Sequence, residues 1–271
     1  MNVHYDFLGI DEGKQNLLKG NTGSETILWT RSLADYPTAR ALQRLDENRI
    51  LMGYDRGYCI FDQRTGEILH DCSLWSKVTS AFRTSEGSTL ITGQDLEEQS
   101  GVCVLTLDSS DRVINTKVCP GNYVRLMSVT QDGRYLLSTN DHIKICDKNL
   151  NTQATLAADG FLHAWQSLVL EDGTILVSAG YGGFIARFSD KGELLSTFGG
   201  KREVPKEVNP FFYASFRKCE DGSLLLANWQ GHGPDNGELG RQLIHFSAEG
   251  EYLESCSFPD DVSSLQGLLL L

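Results

Sequence analysis

Short apolar runs rich in Leu, Ile, Val and Tyr alternate along the chain with brief polar stretches that carry Asp, Asn and Gly. Two kinds of junction recur in turn. The first is an acidic or Gly-containing turn followed by an apolar run: Asp46-Glu47-Asn48 before RILMG, Glu86-Gly87 before STLITG, Asp132-Gly133 before RYLLST, Asp172-Gly173 before TILVSAG and Asp221-Gly222 before SLLLAN. The second ends one apolar run and opens the next, as in IFDQRTGEIL, LTLDSSDRVI, ICDKNLNTQA, RFSDKGELL and HFSAEGEYL. Asp and Asn hydrogen-bond their own turn and Gly supplies positive φ, so each junction predicts a hairpin. The first signal returns every ~40–50 residues, the length of one four-stranded propeller blade.

Five copies are complete, and the two ends together supply a sixth. LLKGNTGSETILW repeats the second hairpin with no inner strand before it, and VSSLQGLLLL at the far end provides one. Aligning that segment with LHAWQSLVL sets Leu265-Gln266-Gly267 on Trp165-Gln166-Ser167. The predicted fold is all-β: one six-bladed β-propeller domain over residues 1–271, built of four-stranded antiparallel blades. The C-terminal inner strand closes the ring by pairing with three N-terminal strands from residues 3–33, which removes open sheet edges. No helix-period segment of useful length interrupts the pattern, which argues against a second domain.

The pieces TGSETILW and FDQRTGEIL resemble the repeat of quinoprotein-like (PQQ-type) propellers, whose D-x-x-T-G-x-x-x-W motif turns between outer strands. GFIARFSDKGELLSTFG is similar to NHL and strictosidine-synthase-like six-bladed propellers. The resemblance covers nearly the whole chain and implies the fold, and a fold alone does not imply a function. Only Trp29 occupies the tryptophan position, and six blades is not the arrangement of the large quinoprotein dehydrogenases, which argues against a bound quinone. The residues name no cofactor.

Charge narrows the partners. A net charge of -12 repels polyanions, so nucleic acid and anionic membrane surfaces are excluded as partners while a neutral or cationic small molecule, or a protein, remains open. The first residues, MNVHYDFLGIDEG, lack a basic segment followed by an apolar run, so a cytoplasmic location is expected. The terminal LLLL is far too short to span a bilayer and reads as a buried strand. Seven cysteines with no CxxC pair argue against a disulfide framework or zinc ribbon. Cys59, Cys103 and Cys146 fall at similar places in successive repeats, and Cys72, Cys119 and Cys256 end the strands that follow, as small buried thiols packing between sheets would.

In a propeller, the loops that lead into the inner strands share one face with the loops between second and third strands. Function is expected there, since loops vary freely on a rigid scaffold. The longest two, GGKREVPKEVNPFF and NWQGHGPDNGELG, both belong to the fifth blade. They bring Tyr213, Trp229 and His232 together with Asn209 and Asn228, while the fourth blade adds His163, Gln166 and Tyr181. Gln266, aligned with Gln166, and Arg125 complete the candidates. Aromatic planes beside amides and imidazoles suit a sugar or polyol, whose apolar faces stack while its hydroxyls need donors and acceptors. On this reading His163 or His232 is the acid or base, Tyr181 or Tyr213 the proton donor and Arg125 an anion or oxyanion partner.

Asp11, Asp55, Asp95 and Asp141 hold the equivalent loop position in four other blades, where a ring of carboxylates could bind a cation; capping their own turns is the expected role for most. His142 follows Asp141 on the same face, whereas His70 and His245 lie in strand patterns and His4 near the terminus. No spacing marks a metal motif, and no GxSxG, P-loop or Rossmann fingerprint occurs. The leading expectation is small-molecule binding at the channel mouth, with lyase, epimerase or hydrolase chemistry open to it. A non-catalytic protein-interaction scaffold is the first alternative. A metal-dependent lactonase-like hydrolase is the second.

Overall fold

Each hairpin signal closes an antiparallel pair, and four strands in succession make one sheet. The structure, a computed structural model, describes residues 4–119, 121 and 123–271, so Val3, at the start of the predicted seam strands, lies outside the described residues. Six four-stranded antiparallel sheets form the ring of a six-bladed β-propeller. Five blades run in chain order from their inner strands Ala41–Arg44, Val78–Arg83, Met127–Val129, Ser167–Val169 and Phe212–Lys218. In the sixth, Leu265–Leu270 pairs antiparallel with Asp6–Asp11, which leads into Asn16–Asn21 and Thr26–Ser32. Among the described residues regular helix is limited to a three-residue 3₁₀ turn, Lys206–Val208, and no helix is long and apolar enough to cross a membrane.

The outer strand pair of every blade carries a register shift, at Ile60/Phe61 and His245/Phe246 for example. Such bulges follow from the extra turn residue and increase local twist, which a blade needs as it fans outward. Packing is between blades: Leu8, Ile10 and Leu17 of the seam blade meet Ile50, Met52 and Phe61 of the first. All seven cysteines are buried, as the repeat positions of six of them predict, and burial pushes the Cys59 thiol up to about 12.

Polar side chains lace the inner strands to one another. The Gln43 amide bonds both ways to the Arg83 backbone, at 2.9 and 2.6 Å, and Ser128 Oγ donates to the Ser167 carbonyl at 2.9 Å. The Gln166 amide does to Phe216 what Gln43 does to Arg83. Arg217 reaches past the seam blade to donate to the Leu42 carbonyl at 3.1 Å. These links turn neighbouring sheets into a ring.

The seam has its own fastening in Asp11, which is fully buried. Its carboxylate accepts from Gly13 N and Lys14 N in its own turn and, at 2.8 Å each, from Ser263 N and Ser264 N just before the closing strand. Ser263 and Ser264 then donate through their hydroxyls to Gly233 O and Gly231 O, joining the seam to the long loop of the fifth blade.

Candidate functional site

The two long fifth-blade loops do meet on one face, and Asn228 shows how. Its buried side chain donates to Val208 O and Arg241 O, both at 3.0 Å, and accepts from Phe211 N at 3.1 Å. Asn209, left-handed at φ 45°, donates to Leu239 O at 2.7 Å across the same gap. Both amides are thus spent on holding loops together.

Gly180 joins the fourth blade to this assembly. At φ +61° its backbone pairs with Leu162 on one side and Tyr213 on the other, and a Cβ there would lie 2.2 Å from the His163 carbonyl oxygen. Only glycine fits, and its presence sets Tyr181 and His163 edge to face with ring centroids 5.3 Å apart. His163 is itself left-handed at φ 61°.

From His163 a run of rings crosses the mouth. Tyr181 contacts Trp229 at 6.1 Å, and Trp229 contacts His232 at 4.7 Å. Phe211 joins Tyr181 and Trp229 at 5.6 and 5.9 Å. Trp229 is the buried floor, while Leu162, Tyr181 and Phe211 remain exposed above it. His163, Tyr181, Trp229 and His232 are thus linked in series across the mouth, with the two histidines at opposite ends of the run and Arg125 beside His163.

The two histidines have opposite partners. Arg125 Nη2 lies 2.5 Å from His163 Nδ1. A guanidinium only donates, so Nδ1 accepts and the ring proton sits on Nε2. Burial, and then the Arg125 charge, hold His163 below the ordinary histidine range, which keeps it neutral. His232 Nδ1 lies 2.8 Å from Glu12 Oε1, and Glu12 Oε2 accepts from Trp229 Nε1 at 3.0 Å. A carboxylate accepts, so here Nδ1 carries a proton, and in the neutral ring Nε2 is the acceptor. Glu12 comes from the seam blade, 220 positions away in sequence from its histidine.

Other expected members sit elsewhere. Tyr213 is fully buried, its hydroxyl donates to Gly199 O at 2.6 Å, and burial drives its pKa far above the ordinary tyrosine value. Strand alternation turns Ser215 and Arg217 to the channel and would turn Tyr213 there too, but the register shifts between Tyr213 and Phe216. Gln166 does face the channel, yet both ends of its amide are bound to Phe216. Gln266 lies on the seam's inner strand, largely buried. The four aspartates do not gather: Asp11 fastens the seam, Asp95 accepts from Gly101 N at 3.0 Å, and Asp141 meets His142 at 2.6 Å. Among the described residues no three His, Cys, Asp or Glu side chains group as ligands of a metal would.

Sequence reasoning missed Glu12, Phe211 and Trp165. Trp165 is buried and takes two guanidinium groups against its ring, Arg40 at 5.6 Å and Arg125 at 5.8 Å. Arg40 Nε, Arg125 Nε and Trp165 Nε1 are all buried donors with no protein acceptor among the described residues.

Among solved structures, this chain is similar to a protein of unknown function from Bacteroides caccae, at 16% identity and TM-score 0.81 over 99% of each chain. It is also similar to a functionally unknown protein from Desulfotomaculum acetoxidans, at 11% identity and TM-score 0.61 over 98% of each chain. A third is a catalytically inactive variant of virginiamycin B lyase from Staphylococcus aureus with quinupristin, at 9% identity and TM-score 0.61 over 98% of this chain and 92% of that one. At these identities the likeness is one of fold. No protein-family model and no curated protein matches the sequence.

Proposed function

We propose that the mouth is a binding site for a small polar ligand of sugar or polyol type, at which His232 takes a proton and His163 gives one. The observation that carries this reading is the opposite tautomers imposed by Glu12 and Arg125 on two imidazoles that border one aromatic surface. A base held by a carboxylate and a donor held by a guanidinium are the two halves of an elimination. His232 Nε2 removes a proton from carbon, the C–H electrons form the double bond as the C–O bond breaks, and His163 Nε2–H protonates the departing oxygen. Tyr181 and Phe211 provide stacking faces for an apolar ring surface. That a lyase is found on a related propeller supports elimination over the epimerase and hydrolase readings.

A thermal-shift panel of sugars, sugar acids and polyols identifies the ligand by mass action. With it in hand, His232→Ala is expected to lower kcat by ~10²–10⁴ with little change in KM. His163→Ala lowers it similarly, and Glu12→Gln less. Retained binding and turnover in both histidine variants sinks the reading. Silence across the whole panel would leave Leu162, Tyr181 and Phe211 as a protein-contact surface, the scaffold alternative.

A further inference from the structure

At the mouth each histidine has a partner of its own, whereas the channel holds guanidiniums with no counter-ion. A cavity of about 530 Å³ runs along the inner strands of the first five blades. It ends at the turns that follow Met127–Val129 and Ser167–Val169, and because successive strands alternate direction those turns lie on the face opposite the mouth. A volume of that order is typical of small-molecule sites.

Arg40 and Arg217 both line this cavity. Arg217 donates to two backbone carbonyls, Phe216 O at 2.9 Å and Leu42 O at 3.1 Å, and Arg40 lies against Trp165 with its Nε lacking an acceptor. The acids on the cavity wall, Asp132 and Glu171, stand at its outer end and are already paired with Arg134 and Lys218 at 2.9 and 3.0 Å. No described carboxylate therefore answers Arg217 or Arg40. Around them Ser80, Ser167 and Ser215 are buried on the same wall, and Ser167 Oγ has no hydrogen-bond partner. Burying a cation is costly without an opposite charge. In a chain of net charge -12 such an inward pair of guanidiniums is not the by-product of a basic surface.

We propose that the channel binds a small organic oxyanion, a carboxylate or phosphate monoester, whose charged group pairs with Arg217 and Arg40 while its remaining oxygens accept from the inward serine hydroxyls. Guanidinium is the cation best matched to either group, since it can present two parallel donors. Burial pushes the Arg217 guanidinium down to about 10, so it stays charged at neutral pH and lacks only the anion. This site goes beyond the mouth: it opens on another face, and its inner end meets the mouth where Arg40 and Arg125 lie against the same Trp165 ring.

The test uses the full chain at fixed ionic strength, with inorganic phosphate, malonate and neutral glycerol as probes in calorimetry and thermal shift. Phosphate or malonate is expected to bind and raise Tm by several degrees, with glycerol silent, and whichever binds more tightly names the head group. Arg217→Met and Arg40→Met are each expected to weaken that binding at least tenfold, and His232→Ala to leave it unchanged. Should Arg217→Met fail to fold, Ser167→Ala removes a hydroxyl and no charge, and a several-fold loss of affinity is expected. Tungstate soaked into crystals should scatter anomalously beside the Arg217 guanidinium. No response to either anion, undiminished binding in the Arg217 and Ser167 variants, or tungstate confined to surface lysines would overturn the proposal.

Discussion

The mouth and the channel share one ring of blades, but they are built by different means. Loops make the mouth, and each of its key positions depends on a local peculiarity: a glycine at φ +61°, a left-handed His163, an amide stitching two loops. Inner strands make most of the channel wall, and the pleat turns Ser215 and Arg217 to it. At the mouth the histidines are answered by Glu12 and Arg125. In the channel Arg217 and Arg40 are left unanswered. The mouth's side chains thus already have partners within the chain, whereas the channel's guanidiniums have no described carboxylate to meet them.

Removing the seam's fastening should separate the two regions most. Asp11→Ala leaves four backbone N–H groups without their acceptor, and a loss on the order of 3 kcal/mol or more is expected from buried hydrogen bonds to a charge. Denaturant unfolding measures it, and a cost below ~1 kcal/mol would mean the seam is held by the strand ladder alone. Next comes Gly180→Ala, which forces a Cβ against the Leu162 and His163 carbonyls and is expected to cost about 1–3 kcal/mol. It should displace Tyr181 and His163, seen as altered imidazole resonances, while phosphate or malonate affinity in the channel is unmoved.

The smallest effect, and the most specific, is expected from Arg125→Met. In the folded protein His163 is held below its ordinary value of 6.5, so as pH falls the unfolded chain takes that proton first. The stability contributed by a neutral His163 is therefore full above pH 6.5 and is lost as pH drops through the folded value. Loss of the Arg125 charge should raise the His163 titration, read by NMR, and narrow that window. Burial is the larger cause of the shift, so some depression should remain. An unmoved titration would mean that Arg125 does not set the state of His163.

Legibility followed the range of the interactions. Turn chemistry is local, so the Asp-Gly and Asx signals disclosed all six blades and even the seam, where a leftover strand at one end matched a missing one at the other. Tyr181, Trp229 and the two histidines were legible for a similar reason, since blade order tells which loops share a face, whereas Phe211 was missed. Tyr213 was not, because a bulge one residue away rotates it out of an otherwise regular alternation. Asn228 and Gln166 carry groups that a ligand would use, but a polar amide facing a gap between strands is first claimed by the backbone. Glu12 sits beside the flagged Asp11 and still went unnoticed, since nothing within its own turn points to a histidine in another blade. Arg217, in the segment FYASFRK, went unnoticed too, since its lack of a counter-ion appears only when the inner strands are assembled around the cavity.

That the seam blade supplies Glu12 has a consequence for the order of events on the ribosome. At typical elongation rates the residues between Asp6–Asp11 and Leu265–Leu270 take tens of seconds to make, and throughout that time Asp6–Asp11 has an open edge awaiting its neighbour. The edge is covered, and Asp11 finds its last two donors, only when Leu265–Leu270 emerges. Glu12 and His232 are drawn together by the same event. A nascent chain still lacking Leu265–Leu270 would display blades without an assembled mouth, so the Glu12–His232 contact depends on the strand made last of the six inner ones.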